Sequence, residues 1–178
     1  MWYSAAIVSG PASTPVSVSQ AKDELRIDTS DHDTRLGRYV AAATAYVQAM
    51  TGLRLVTQTI DIKCDDWDDL SAIPVGPVQS ITSVTYVDTD GATQTASTSV
   101  YEARLTGLNP HLVLKYQQVW PVAQFGSQIT VRAVVGYATV PDDVSSALLV
   151  LIRAMNDEGE LGGVQDTVSA LLANYRIF

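Results

Sequence analysis

The sequence predicts an α+β fold: a helical bundle of three main helices plus a C-terminal helical segment, carrying an inserted small antiparallel β-sheet or barrel. Three observations lead there. Apolar residues recur at helical spacing up to Thr51, the pattern turns to alternation with frequent turn residues from Leu53 to Val140, and helical spacing returns after Pro141. The resulting division is 1–16 as an N-terminal arm, 17–54 and 141–160 as a helical core, 55–140 as an inserted β domain and 161–178 as a C-terminal docking segment.

Met1 to Val16 is rich in Ser, Pro and Ala without clear periodicity, so it reads as an arm or an edge strand, with Trp2 and Tyr3 available to anchor it. Ser17-Val18-Ser19-Gln20 matches a capping box and opens a short helix with Val18, Ala21 and Leu25 on its apolar face. Asp31 is placed to cap a long helix running to Thr51, on which Leu36, Val40, Ala43, Val47 and Met50 share one face. Gly52 is its expected stop. Gly37 and the Ala41-Ala42-Ala43 run leave little bulk on one side, which permits close approach of another helix.

Strands are expected at Val56 to Lys63, Val78 to Val87, Thr93 to Thr95, Leu112 to Tyr116 and Ile129 to Tyr137, with a tight turn at Asp88-Thr89-Asp90-Gly91. Pro141-Asp142-Asp143 opens the third main helix, whose broad apolar face is Val144, Ala147, Leu148, Leu151, Ile152 and Met155. Asn156 to Asp166 reads as a polar link, Leu161-Gly162-Gly163 as a break and Thr167 as the cap of a last helix. Val168, Leu171, Leu172 and Tyr175 then fall on one face. Isolated helices under about 12–15 residues are marginal in water, so this segment must dock on its own domain or on another chain.

The chemistry-bearing residues are sparse. One cysteine, Cys64, excludes an internal disulfide, and with only His32 and His111 beside it a zinc site is not expected. Asp65-Asp66-Trp67-Asp68-Asp69 lacks the central glycine and terminal glutamate of a calcium-binding EF-hand loop and reads as a solvated loop with Trp67 turned inward. Asp142 and Asp143 serve a helix start, and neither a nucleophile elbow nor a phosphate-binding glycine loop is present. No cofactor, metal or catalytic residue is expected. Tyr86, Tyr101, Tyr116, Trp120 and Tyr137 lie in or beside strands without interleaved basic residues, which favours core packing over stacking on nucleic acid.

The net charge of −8 is unevenly spread: five basic and five acidic residues in 1–54, four against eight in 55–140, two against six in 141–178. No segment is a basic patch, so tight binding to a nucleic-acid backbone is disfavoured, and an acidic surface facing DNA would repel it. No run approaches the roughly 18 apolar residues of a membrane span, and the start lacks the basic region of a signal peptide, so synthesis in the cytoplasm is expected.

Three passages in order carry a resemblance. Ser17 to Asp28, with a helix ending Ala45-Tyr46-Val47-Gln48-Ala49-Met50-Thr51-Gly52, is the first; Pro77 to Asp88 with the Asp90-Gly91 turn is the second; Val140-Pro141-Asp142-Asp143-Val144 leading to Ala170-Leu171-Leu172-Ala173-Asn174-Tyr175-Arg176 is the third. Together they resemble the head-tail connector (adaptor) proteins of long-tailed bacteriophages and gene transfer agents. The resemblance implies a non-enzymatic virion subunit, forming a ring of twelve copies that docks on the portal protein, extends the DNA channel without sequence-specific binding and offers a platform to the next neck or tail-completion protein. It also implies that the C-terminal segment reaches the portal. Val168, Leu171, Leu172 and Tyr175 are then the apolar anchors and Arg176 a charge-assisted hydrogen-bond donor, while Leu36, Val40 and Val47 of the long helix and Leu148 and Leu151 of the third supply contacts between subunits. Ordering of the terminal segment on the portal would restrict assembly to where the portal is. Relatives carry an aromatic residue and an arginine near the end of the third helix, where this chain has Ala154-Met155-Asn156-Asp157-Glu158. Other readings are a different neck or tail-completion ring protein, and a glycan- or ligand-binding module built on Trp67 and Trp120.

Overall fold

The computed structural model describes residues 1–157 and 161–177, and the chain separates into two compact units. The β unit comprises Met1–Gly10, Thr57–Gly136 and Ile177; the helical unit comprises Pro11–Val56 and Tyr137–Arg176. The first ten residues thus belong to the β unit, and Ala6–Ser9 among them form an edge strand.

Seven strands are described: β1 (Ala6–Ser9), β2 (Gln58–Cys64), β3 (Val78–Val87), β4 (Thr93–Thr95), β5 (Tyr101–Arg104), β6 (His111–Leu114) and β7 (Ile129–Val135). Five of them form an open antiparallel sheet in the order β1-β2-β7-β3-β4, and β5-β6 is a separate two-stranded ribbon, so the sheet alternative holds and not the barrel. Alternation decides the two faces. Ile60, Ile62 and Cys64 of β2 and Ile129, Val131, Ala133 and Val135 of β7 are buried, whereas Asp61, Lys63 and Arg132 face outward. The β3–β4 turn forms as the sequence requires, because Gly91 takes φ 82° and the Asp88 carboxylate accepts the Asp90 and Ala92 amides at 3.0 and 2.9 Å. The acidic Trp67–Ser71 stretch is a 3₁₀ turn, with Leu70 fully buried beneath it.

The helical unit contains α1 (Val18–Leu25), α2 (Asp33–Thr51), α3 (Asp142–Asn156) and α4 (Leu161–Leu171), with a 3₁₀ turn at Ala173–Tyr175. The capping box at α1 is complete: the Gln20 amide donates to Ser17 Oγ at 3.1 Å and the Ser17 amide to Gln20 Oε1 at 2.9 Å. Gly52 ends α2 at φ 75°, its amide bonded to the Gln48 carbonyl at 2.9 Å. Helix α3 packs against each of the other three, and Val144, Ala147, Leu148, Leu151 and Ile152 are buried.

Three local expectations are corrected. Asp31 does not cap α2: His32 occupies that position without a side-chain bond, and the helix start is held by an ion pair between Asp33 and Lys22 at 2.9 Å. Leu161-Gly162-Gly163 begins α4 and does not break a helix, and Thr167 lies inside it. Each glycine costs roughly 1 kcal/mol against alanine in a helix, but docking Val168 and Leu172, both fully buried, offsets this with about 2 kcal/mol per side chain. Of the expected polar link, 158–160 lie outside the described residues.

Candidate docking surfaces

The terminal segment is built on α3. Val168 and Leu172 are 0% exposed, and the Leu172 amide donates to the Val168 carbonyl at 3.0 Å. Leu171, Tyr175 and Arg176 are only partly covered. The Tyr175 hydroxyl donates to Asp143 Oδ2 on the first turn of α3 at 3.4 Å, and burial together with that carboxylate raises the phenol's pKa. Arg176 Nε is buried and makes no hydrogen bond among the described residues. The five residues expected to meet the portal therefore divide: Val168 and Leu172 are buried in their own unit, Tyr175 is half-exposed but bonded to Asp143, and Leu171 and Arg176 are half-exposed.

The five residues expected between subunits fall elsewhere. Leu36, Val40, Val47, Leu148 and Leu151 are at most 2% exposed and fill the interior of the helical unit. That expectation is corrected to a core role, since the apolar stripe that marks a helix in sequence is first consumed by the helix's own subunit. The outward face of α2 instead carries Arg38, Ala41, Ala42, Ala45, Tyr46 and Ala49.

The β unit holds a surface that the sequence reading missed. Between β6 and β7, Tyr116, Val119, Val122 and Phe125 stand almost wholly exposed, with Phe125 at 102%. Tyr116 is thus not the core residue expected. The loop is nevertheless fixed: Trp120 stacks on Trp67 at 4.8 Å, Tyr86 meets the edge of Trp67 at 5.4 Å, Tyr101 lies 5.8 Å from Trp120, and the Gln124 amide donates to the Val87 carbonyl at 2.8 Å. A usable signal was the run from Tyr116 to Val131, which holds six apolar residues before Ile129 and no charge. The stack uses one face of each indole, and both side chains remain half-buried.

Nothing gathers into a catalytic constellation among the described residues. Cys64 is fully buried, and desolvation first, then the nearby carboxylate of Asp69, push its thiol up to about 12. Asp69 is engaged by the Met1 ammonium and by the Asp65 and Asp66 amides, which hold its carboxyl below the usual range. His111 Nδ1 lies 2.9 Å from the Asn109 carbonyl. No group of three or more His, Cys, Asp or Glu is placed to hold a metal ion among the described residues, and no described helix is long and apolar enough to cross a membrane.

A sequence profile described as phage gp6-like head-tail connector protein matches residues 15–109, over half of the chain. The chain belongs to this family. As a connector it is a structural subunit of the head-tail junction of a phage or phage-like particle. Solved structures agree in fold across the whole connector. A chain in the neck of an empty gene transfer agent particle, computed with C6 symmetry, superposes with a TM-score of 0.82 at 20% identity, covering 99% of this chain and 96% of that one. A chain in the virion of a native gene transfer agent particle gives 0.81 at 19% identity with the same coverage. A chain in the neck of a native particle, computed with C12 symmetry, gives 0.80 at 18%, again over 99% and 96%. No curated protein matches the connector at a significant level.

Proposed function

We propose that this connector closes into a ring of twelve copies that docks on the portal protein through its C-terminal segment, continues the DNA channel and receives the next neck or tail-completion protein. The observation that carries the reading is the division of labour after Asp166. Val168, Leu172 and the Tyr175 hydroxyl tie the segment to α3, and the half-exposed Leu171, Tyr175 ring and Arg176 are left for a partner. Arg176 is half-exposed, and its guanidinium is placed to donate a charge-assisted hydrogen bond to a portal carboxylate or carbonyl. The segment already has its helical form in the single subunit, so docking adds contacts to a preformed element and does not require it to fold.

Fold likeness to a chain in a twelve-fold neck supports the ring count. Because the helix interiors are spent, contacts between copies fall to outward faces such as Ala41, Ala42 and Ala45 of α2, where small side chains let a neighbouring helix come close. The net charge of −8 supports a channel that DNA passes without adhering, with neither base reading nor cofactor required. The role is structural and non-catalytic. No membrane partner enters the reading.

The test is imaging of particles that carry Leu171→Asp with Arg176→Glu. Heads lacking the connector at the portal vertex, from a variant whose circular dichroism and melting match the unaltered chain, are the expected result. Normal occupancy of the junction by that variant overturns the portal assignment, and capture of the purified connector by a tail-completion protein but not by portal favours a ring further down the neck.

A further inference from the structure

The β unit presents two exposed apolar groups at different places on one sheet. The first is Ile7 and Val8 on β1, 63% and 49% exposed on the free edge beyond β2. The second is the loop bearing Tyr116, Val119, Val122 and Phe125, which is held over the end of β3 by the bond from the Gln124 amide to the Val87 carbonyl. The two lie apart by three strand spacings, about 14 Å, and by several residues along the strands. Resting on the ring reading above, we infer that these are the two halves of one contact between copies, in which the Tyr116–Phe125 loop of one subunit seats the Ile7–Val8 edge of the next.

Electrostatics selects a second copy as the occupant. Copies that each carry −8 repel unless they meet where charge is missing. Met1 to Ala21 and Tyr116 to Val131 carry no charged side chain, and each contains one of the exposed apolar groups. Interface centres are depleted of charge and enriched in aromatic residues in the same way.

Shape and area agree. Trp67, Trp120, Val122 and Phe125 line a depression of about 520 Å³ together with Asp66 and with Asp65, which the Met1 ammonium pairs at 3.4 Å, and Ile7 and Val8 stand exposed on the sheet edge, so a branched aliphatic side chain enters on the side of the rings. Edge-to-edge strand pairing is disfavoured by the bulge in β1 between Ile7 and Ser9, which leaves side-chain packing as the mode of contact. Tyr116 and Phe125 alone offer roughly 300–450 Å², about half of the ~800 Å² per partner in a standard interface. Two non-overlapping patches joined in this manner give a heterologous contact, the kind that propagates from copy to copy and closes into a ring.

The experiment uses full-length chains carrying Ile7→Cys, Phe125→Cys or both, treated with a short bis-maleimide in assembled particles and as concentrated purified protein. Buried Cys64 stays silent, and the unaltered chain is the control. The expected result is no crosslink in either single variant alone, a dimer only when the two are mixed, and a ladder ending at a closed ring in the double variant. Crosslinking of Phe125→Cys with itself, or no ladder in either sample, overturns the inference. A connector missing from the head-tail junction defeats the ring reading separately, and the purified sample then decides the contact by itself. As a second measure, Val122→Asp with Phe125→Asp lowers ring formation about tenfold or more without changing the melting curve. Rings that form normally but fail to take on a tail protein assign the loop to that protein and overturn the contact between copies.

Discussion

Trp120 lies flat on Trp67, the ring centroids 4.8 Å apart and the planes 4° from parallel. This pair is what turns the β6–β7 connection from a chain of exposed apolar residues into a fixed surface. Trp120→Ala removes one half of the stack and the contact with Tyr101. Both indoles are half-buried, so the loss of stability is set below the 3–5 kcal/mol of a fully buried tryptophan, at about 2 kcal/mol. Chemical unfolding measures it, and chymotrypsin cleavage after Tyr116 and Phe125 accelerates in the same variant. Unchanged stability together with an unchanged cleavage rate contradicts the anchoring role.

Across β2 and β7, Arg132 holds Asp61 through two hydrogen bonds of 2.8 Å, Nε to Oδ1 and Nη2 to Oδ2. The hydrogen bonds from Arg132 are the main reason that the Asp61 carboxyl titrates below its usual range. A carboxyl whose pKa is lowered by folding contributes stability that is fully present above its unfolded value near 4 and is lost as pH falls through the lower folded value. Asp61→Asn therefore shows its full deficit at neutral pH, and the difference from the unaltered chain shrinks on acidification below about pH 4. Both groups reach solvent, so screening keeps the deficit small. Urea midpoints from about pH 7 to about pH 2 test the sign, and a deficit that grows in acid refutes the assignment.

The parts of the fold legible in the sequence are those where local pattern and tertiary outcome coincide. Strand β3 occupies Val78–Val87 as read, and the Ser17–Gln20 box forms because its two bonds are local. Strand β5 and the β1 pairing were not legible, because Ala6–Ser9 is exposed throughout and Tyr101–Arg104 buries only its tyrosine, so neither shows an apolar face. The docking surfaces were legible only in part. Burial of Leu36, Val40 and Val47 follows from periodicity, but periodicity does not say whose core a stripe completes, and here it is the subunit's own. The exposed loop was hidden for the opposite reason: apolar residues are read as core by default, and only the absence of charge around Val119, Val122 and Phe125 separates them from one.

Cys64 supplies a check on the interior of the β unit. Its side chain is fully buried between Ile62 and the acidic turn, and a thiol pushed up to about 12 holds almost no thiolate at ordinary pH. The native connector therefore resists an aromatic disulfide reagent for hours near pH 8 and takes up one equivalent on unfolding in urea. Rapid labelling of the folded protein shows that the sheet opens over Cys64, and the described core is then wrong at that edge.

The terminal segment gives the sharpest contrast, because two adjacent leucines have different duties. Leu172 is 0% exposed, and Leu171 beside it is only half-covered. Leu172→Ala leaves a cavity in the helical unit and costs about 3 kcal/mol, within the range for buried leucines, whereas Leu171→Ala costs less than about 1 kcal/mol. The order reverses for docking. In a titration of purified portal against connector, Leu171→Ala weakens binding in a chain of nearly unaltered stability, and Leu172→Ala weakens it only to the extent that the segment comes loose from α3. Equal and small stability losses in the two variants mean that residues after Asp166 are not fastened to the subunit. The portal-facing group of Leu171, Tyr175 and Arg176 would then have no fixed base from which to act.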